Sequence, residues 1–222
     1  MDIMEAMRNR RSVRQYTDTP IPPDVLDALR REIDVCNREG DLHIQLVTDE
    51  PKAFSGMMAK YGKFSGVHNY FALVGQKDEY LEENCGYYGE RLVLLAQQLG
   101  LNTCWVAMTY RKVPGAFQVD KGEKLTVVIA VGYGANPGVP HKSKKPEEVS
   151  ETGIYPCDWF RRGVEAALLA PTAMNQQKFF FTDHGDGVEA KAGIGFYTKI
   201  DLGIAKYHFE IAADTKNFYW DE

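Results

Sequence analysis

The sequence MRNRRSVRQY occupies residues 7–16 and carries four arginines within the seven positions 8–14. The chain as a whole is acidic, with a net charge of −5, so this segment is a local concentration of positive charge. The spacing of apolar residues over Asp2–Arg8 predicts a short helix. Prolines at positions 20, 22 and 23 prevent a helix from resuming at once. We therefore expect the arginines to lie where a helix ends and an extended segment begins.

A hydroxyl flanked by guanidinium groups is a donor set that suits a phosphate monoester. Arginine supplies charge-assisted, forked hydrogen bonds, and a serine hydroxyl adds one more. The candidate phosphate ligands are Arg10, Arg11, Ser12 and Arg14. A solvated basic helix end is the alternative interpretation of the same charges.

Composition limits the class of protein. A chain of 222 residues with 44% hydrophobic and 26% charged residues fits one large domain or two small ones. It has no apolar run of about 20 residues and no secretory signal pattern, so we expect a cytoplasmic protein that does not enter a membrane. Its pI of about 5.6 argues against nucleic acid as a partner.

Cysteine and histidine spacing gives no metal motif. The four cysteines are far apart without a C-x-x-C pair, which indicates reduced thiols rather than a disulfide framework or a zinc site. The five histidines form no H-E-x-x-H pattern. We therefore predict no metal.

Hydrophobic periodicity predicts alternating helices and strands. The run at 70–75 is continuously apolar, so that strand should be covered on both faces. Segment 51–61 is predicted to be a short helix or a loop, and the aromatic tail 215–222 to dock on the body of the protein. The predicted helices span residues 24–33, 82–101, 158–169 and 201–214, and the predicted strands span 42–48, 70–75, 125–134, 178–183 and 188–195.

The strand at 125–134 ends in glycines and superficially resembles a dinucleotide fingerprint. Pro137 occupies the third glycine position, and no helical pattern follows it. A nucleotide site of that type is therefore excluded.

Four segments together resemble the FMN-dependent nitroreductase family. Residues 10–16, RRSVRQY, resemble its R-R-S-x-R-x-F opening, with Tyr16 in place of Phe. Residues 99–108, LGLNTCWVAM, are similar to G-L-G-T-C-W-x-G, with Asn102 and Ala107 in place of Gly. The loop at 140–149 resembles K-x-R-x-P-x-E-x-V. APTAMNQQKF at 170–179 resembles A-P-S-x-x-N-x-Q-P-W, but lies in the C-terminal half, as in a rearranged branch of the family.

The resemblance implies a set of cofactor-binding residues. Segment 10–14 and two lysines of the loop would hold the flavin phosphate and ribityl chain. Backbone N–H groups after the tryptophan would face the N5 and O4 edge of the flavin. The set comprises Arg10, Arg11, Ser12, Arg14, Trp105, Val106, Ala107, Met108, Lys142, Lys144, Pro171, Thr172, Ala173 and Asn175.

The same resemblance implies a fold and an activity. The fold would be α+β, with a central, mostly antiparallel sheet flanked by helices. FMN would be bound non-covalently and would pass a hydride from NAD(P)H through N5 to a small acceptor such as a nitroaromatic or a quinone. No side chain is assigned as a catalytic acid, base or nucleophile. Two alternatives remain. One is a flavin-binding or sensing protein without turnover. The other is a specialised enzyme such as a reductive dehalogenase or a ring-fragmenting enzyme.

The C-terminal third weakly resembles the first part. We predict a single nitroreductase-like domain over 1–222 with an internal half-domain duplication, the halves being 1–150 and 151–222. Residues 201–205, DLGIA, echo CGYYG at 85–89. We predict that Thr172 and Asn175 lie beside the flavin site of Arg10–Arg14 and Val106–Met108. The chain would supply both parts itself as a pseudo-dimer, or share them across a homodimer.

Overall fold

The computed structural model describes residues 1–153 and 157–221. The chain divides into two compact units. The first unit contains Met1–Leu81 and Leu92–Pro140, and the second contains Glu82–Arg91 and His141–Glu222. The single domain over 1–222 stays a prediction, and residues 154–156 and 222 of that range lie outside the described residues.

The first unit contains the predicted elements within a few residues of their expected ends. Helix α2 is the main departure, because it continues beyond the predicted 24–33 to Gly40 and ends at Asp41 in the left-handed conformation. The predicted short helix within 51–61 is α3. The elements are α1 (Ile3–Asn9), α2 (Pro23–Gly40), β1 (Gln45–Val47), α3 (Met57–Tyr61), β2 (Asn69–Gln76), α4 (Leu81–Gln98), β3 (Asn102–Val106) and β4 (Glu123–Gly132). Residues Glu82–Arg91 of α4 belong to the second unit.

The sheet of the first unit has the order β1-β2-β4-β3, and every neighbouring pair is antiparallel. Ile129 of β4 pairs with Phe71 of β2 on one side and with Trp105 of β3 on the other. All residues of β2 from Tyr70 to Gly75 are buried, which confirms the prediction of a strand covered on both faces. Phe54 and Phe64 pack in the core on one face, with ring centroids 5.2 Å apart.

The second unit carries its own four-stranded sheet. Its order is β5-β6-β7-β8, with an antiparallel central pair and parallel outer pairs. Trp220 packs on Phe209 and Phe181. Docking of the aromatic tail is thereby confirmed for Phe218 and Trp220, while Tyr219 is exposed and Glu222 lies outside the described residues. The elements are β5 (Ser150–Glu151), α5 (Asp158–Ala167), β6 (Phe179–Asp183), β7 (Gly187–Ala192), α6 (Thr198–Ala213) and β8 (Tyr219–Trp220).

Helices α4 and α6 cross within the second unit at two glycines. A Cβ on Gly86 would overlap the backbone of Ile200, and a Cβ on Gly203 would overlap the backbone of Glu83. Close backbone approach of this kind requires residues without a side chain. The contact is reciprocal, with each helix offering a glycine to the backbone of the other. The predicted internal duplication is not confirmed.

A buried polar pair lies beside this crossing. His208 of α6 places Nε2 2.9 Å from Oε1 of Glu90 in α4, and both side chains are fully buried. Its Nδ1 lies 3.1 Å from the carbonyl oxygen of Ala166 in α5. Both ring nitrogens therefore have partners, which keeps the cost of burying the imidazole low.

These elements confirm the α+β class with a mostly antiparallel sheet, and the strands are divided between two four-stranded sheets. Within the described part of the chain, no helix is both long enough and apolar enough to cross a membrane.

The turn at Gly66 offers a test of the first unit. Gly66 has φ +67°, and an added Cβ would overlap the carbonyl of Tyr16. Gly115 has φ +79° and no neighbour within 4 Å, so it is a matched control that carries the backbone strain alone. We expect Gly66→Ala to lower the free energy of unfolding by about 1–3 kcal/mol more than Gly115→Ala, because overlap adds to strain. Urea unfolding measures this difference. Equal losses for the two variants would show that the turn relaxes freely.

Candidate functional site

The arginine-rich segment is extended and is bonded to three other parts of the first unit. Helix α1 ends at Asn9, and Arg10 has φ −59° and ψ 128°, which confirms the predicted change from helix to extended chain. Val13 donates to the carbonyl of Thr103 in β3 over 3.0 Å. The Tyr16 amide donates to the carbonyl of Ser65 at 2.9 Å, and the carbonyl of Gln15 accepts from the Ala135 amide at 2.8 Å. The segment is therefore held along its length by backbone hydrogen bonds.

Arg10, Ser12 and Arg14 all lie close to Cys104, the middle residue of β3. Burial raises the pKa of the Cys104 thiol, and this effect exceeds the lowering by Arg14, Arg10 and a hydrogen bond from Ser12. The thiol thus stays neutral and places no anion beside the two guanidinium groups. Arg10 is buried and Arg14 is exposed. Two guanidinium groups and a hydroxyl at this position form a donor set that suits a phosphate.

Arg11 has a different role from its neighbours. Its Nη1 donates to the carbonyls of Arg8 at 2.6 Å and Arg10 at 2.7 Å, which are end carbonyls of α1. A cation at a helix C-terminus is stabilising. The aliphatic part of Arg11 also lies against Gly138, where an added Cβ would come within 2.7 Å of the Arg11 Cβ. Part of the Arg11 side chain therefore holds α1 and the loop after β4 in place.

The predicted ring-facing residues follow in the same strand. Trp105 and Ala107 are partly exposed, Val106 is buried, and Met108 is 67% exposed. Val106 lies three residues beyond Thr103, roughly 10 Å along a strand. Asn102 accepts a hydrogen bond from the Gly134 amide at 3.0 Å, which gives its polar side chain a structural function. The first unit therefore brings Arg10, Ser12 and Arg14 to the middle of β3, and residues 105–108 are the end of that strand and the two residues after it.

The predicted site residues of the second unit lie on two loops that are bonded to each other. Asn175 donates to the carbonyl of Lys142 at 2.8 Å. Gln177 donates to the same carbonyl at 2.9 Å and accepts from the Lys144 amide at 2.8 Å. The Lys144 ammonium donates to the carbonyl of Gln177 at 2.8 Å. Lys142, Lys144 and Asn175 are thus brought together, and buried Gln177 connects them.

The loop at 172–177 is conformationally unusual. Met174, Asn175 and Gln177 have φ values of 51°, 54° and 45°, in the left-handed region that non-glycine residues seldom adopt. Each such residue costs on the order of 1–3 kcal/mol, although Asn tolerates it better than most. Thr172 Oγ1 accepts from the Gln177 amide at 3.0 Å and closes the loop. Pro171 is buried, Ala173 is partly exposed, and Met174 is 96% exposed.

Asp201, at the first turn of α6, holds this loop from the side. Its Oδ1 accepts from the Ala173 amide at 2.9 Å, and its Oδ2 accepts from Gln176 Nε2 at 2.7 Å. Burial raises the pKa of Asp201 to about 6, although both hydrogen bonds act to lower it. Sequence reasoning missed Asp201 and Gln177. Gln177 occupies the Q of the A-P-S-x-x-N-x-Q pattern, so the resemblance contained a signal for it, whereas Asp201 gave none.

A cavity of about 210 Å³ lies elsewhere in the first unit. Tyr16, Asp18, Ile21 and His68 are among its lining residues, and its described lining includes none of the predicted cofactor-binding residues. Whether the two residue sets, one from each unit, form a single site stays a prediction.

Residues 2–213 match the family model described as "Putative TM nitroreductase". No curated protein matches the chain. Among solved structures, one described as a putative nitroreductase from Thermotoga maritima is 21% identical, with a TM-score of 0.67, and the alignment covers 96% of this chain and 83% of that one.

Two further solved structures align over less of the chain. A putative NADH dehydrogenase/NAD(P)H nitroreductase from Parabacteroides distasonis is 22% identical, with a TM-score of 0.54, covering 68% of this chain and 98% of that one. A putative nitroreductase from Desulfovibrio desulfuricans, solved in complex with FMN, is 16% identical, with a TM-score of 0.54, covering 67% and 95%. At these identities the structural likeness establishes the fold.

The raised pKa of Asp201 predicts a pH-dependent stability. Between about pH 4 and pH 6 the folded state binds more protons at this carboxyl than the unfolded state, so the free energy of unfolding falls as pH rises through this window. The loss is at most about 3 kcal/mol, because a difference of one pKa unit between the folded and unfolded states corresponds to about 1.4 kcal/mol. Asp201→Asn should abolish this component. Urea unfolding of both proteins from pH 4 to pH 7 measures it, with the exposed Asp186→Asn as the control. A difference between wild type and Asp201→Asn that does not change with pH would contradict the assignment.

Proposed function

Because the chain belongs to the nitroreductase family defined by the model that matches residues 2–213, we propose that it is an FMN-dependent oxidoreductase. In this proposal, electrons pass from NAD(P)H to a small acceptor such as a nitroaromatic or a quinone. The observation that carries it is the cluster of Arg10, Ser12 and Arg14 near the neutral Cys104 thiol in the middle of β3.

The donor set supports a terminal phosphate as the ligand of this cluster. Two guanidinium groups can each give forked, charge-assisted hydrogen bonds to phosphate oxygens. Because the Cys104 pKa is raised, no thiolate competes for them. Arg14 is exposed and can meet a ligand from solvent, while Arg10 is buried and presents a fixed charge. FMN carries one terminal phosphate, which this set would hold.

The end of β3 would position the flavin ring. Trp105 and Ala107 are partly exposed, and neither carries a bulky charged group, so backbone N–H groups can approach a ring edge closely. Amides at fixed positions stabilise negative charge without reorganising. When bound, FMN supplies the redox chemistry itself, and the protein supplies position and electrostatics. We accordingly assign no side chain as a catalytic acid, base or nucleophile.

The loops of the second unit would complete the site. In this proposal Lys142 and Lys144 add positive charge near the phosphate, and Pro171, Thr172, Ala173 and Asn175 contact the ring. The mutual hydrogen bonds of Asn175, Gln177 and Lys144 support the view that the two loops act together. The second set would come from the same chain or from the second chain of a homodimer.

The first expected outcome is that the purified protein is yellow and releases FMN, not FAD, on denaturation. The cluster of Arg10, Ser12 and Arg14 suits a single terminal phosphate. FMN has such a phosphate, whereas FAD does not. Absorbance and chromatography of the released cofactor measure it. Consumption of NADH or NADPH with an added quinone or nitroaromatic then separates an enzyme from a flavin-binding protein without turnover. A colourless protein that takes up no added FMN would refute the proposal.

The second expected outcome concerns the arginines. Arg10→Ala or Arg14→Ala should weaken FMN binding about tenfold or more, since a charged hydrogen bond contributes roughly 1.5–3 kcal/mol. Arg8→Ala is the matched control, because it removes the same charge from the exposed end of α1 and leaves intact the carbonyl that Arg11 uses. Fluorescence titration of the apoprotein with FMN measures the three affinities. Equal losses at all three positions would instead indicate a diffuse basic patch.

A further inference from the structure

Three potential metal ligands converge at one corner of the first unit. His43, Asp120 and Glu123 each offer one ligand atom, and these atoms lie within 4.8 Å of one another. Among the residues that the structure describes, no other group of three His, Cys, Asp or Glu side chains converges in this way. This corner is distinct from the cluster of arginines around Cys104.

Strand β2 fixes two of the three ligands. The amide of His43 donates to the carbonyl of Val74 at 2.8 Å, near the end of β2. Glu123 is the first residue of β4 and pairs with Gln76, the last residue of β2. Because both residues are bonded to the same strand end, the separation of their side chains is set by the sheet. The Nδ1 atom of His43 lies 3.0 and 3.2 Å from the two carboxylate oxygens of Glu123.

A tight turn places the third ligand. The Glu123 amide donates to the carbonyl of Asp120 at 3.0 Å, and the Asp120 amide donates to Glu123 Oε2 at 2.7 Å. Gly122, with φ +95°, permits the turn between them. Gln118 donates from Nε2 to Asp120 Oδ1 at 2.7 Å and so orients that carboxylate. Metal sites commonly use such a hydrogen bond behind a first ligand.

From this geometry we infer that His43, Asp120 and Glu123 form a binding site for a divalent transition-metal ion, with Zn²⁺ as the best fit. One imidazole and two carboxylates suit Zn²⁺, whose ligand bonds are about 2.0–2.2 Å. Two ligands on a tetrahedral Zn²⁺ lie roughly 3.4 Å apart, and the His43–Glu123 separations of 3.0 and 3.2 Å are close to this. Asp120 is exposed, and its ligand atom lies within 4.8 Å of the ligand atoms of His43 and Glu123. Water would take the fourth position, since the His43 side chain is 32% exposed.

Separation along the sequence explains why no motif indicated this site. His43 is far from Asp120 and Glu123, and the three ligands follow no standard spacing, so the prediction of no metal rested on local patterns alone. Two other histidine–carboxylate pairs, His68–Asp18 at 3.0 Å and His184–Asp221 at 2.7 Å, belong to no such group of three within the described residues 1–153 and 157–221. They supply an internal comparison.

Zinc binding would join the segment before β1 to the start of β4. An ion that binds only the folded state stabilises it in proportion to its affinity and concentration. The site would thus act as a structural link within the first unit. Its ligands are not assigned to the proposed oxidoreductase reaction.

Isothermal titration of the purified, EDTA-treated and desalted protein with ZnCl₂ tests the inference. We expect one Zn²⁺ per chain with micromolar or tighter affinity, and a higher midpoint of thermal unfolding in its presence. His43→Ala and Asp120→Asn should each weaken binding at least about tenfold. Asp120→Asn keeps an acceptor for Gln118 on an exposed turn, so it should fold. His68→Ala is the control and should bind like wild type.

Four results would overturn the inference. The first is the absence of saturable binding at one ion per chain. The second is unchanged affinity in both His43→Ala and Asp120→Asn, which would show that His43 and Glu123 form only an ion pair. The third is equal weakening in His68→Ala, which would indicate diffuse binding to surface histidines. Displacement of Zn²⁺ by a tenfold excess of Mg²⁺ or Ca²⁺ would contradict the assignment to a transition metal.

Discussion

The backbone hydrogen bonds of residues 13–17 are the constraint on which the first unit and its candidate site depend. This segment belongs to none of the four named strands, yet it bonds to Thr103, Ser65, Tyr133 and Ala135. Each bond contributes only about 0.5–1.5 kcal/mol. Together they fix the segment against the start of β3 and the end of β4. The backbone that carries Arg14 therefore has a defined position, which would lower the ordering cost of the ligand binding that we propose for this segment.

Periodicity predicted most of the fold because most elements bury one regular face. The continuous apolar run of β2 correctly indicated burial on both sides. Helix α2 was predicted too short, since the apolar spacing weakens after Ile33, yet Cys36 and Gly40 are also buried. The parallel outer pairs of the second sheet had no local signal. Strands β5 and β8 contain two residues each, and such short strands are defined by their partners more than by their own sequence.

The parts of the candidate site that belong to local motifs could be predicted from the sequence. The parts whose positions depend on long-range hydrogen bonds could not. Resemblance pointed to Arg10, Ser12 and Arg14, and the structure places all three around Cys104. The same motif gave no warning that Arg11 binds the carbonyls of α1. Asp201 lies 28 residues from the Ala173 amide that it accepts from. No spacing rule covers such a contact, so only the folded chain shows that Asp201 supports the strained loop.

The echo between residues 85–89 and 201–205 has a physical explanation that does not require a duplication. These two segments lie where α4 and α6 cross, and Gly86 and Gly203 each face the backbone of the opposite helix. Two helices that approach this closely both need a small residue at the crossing, one turn from the helix start. A shared packing requirement therefore produces similar sequences independently. The two sheets agree with this view, because one is wholly antiparallel and the other has parallel outer pairs.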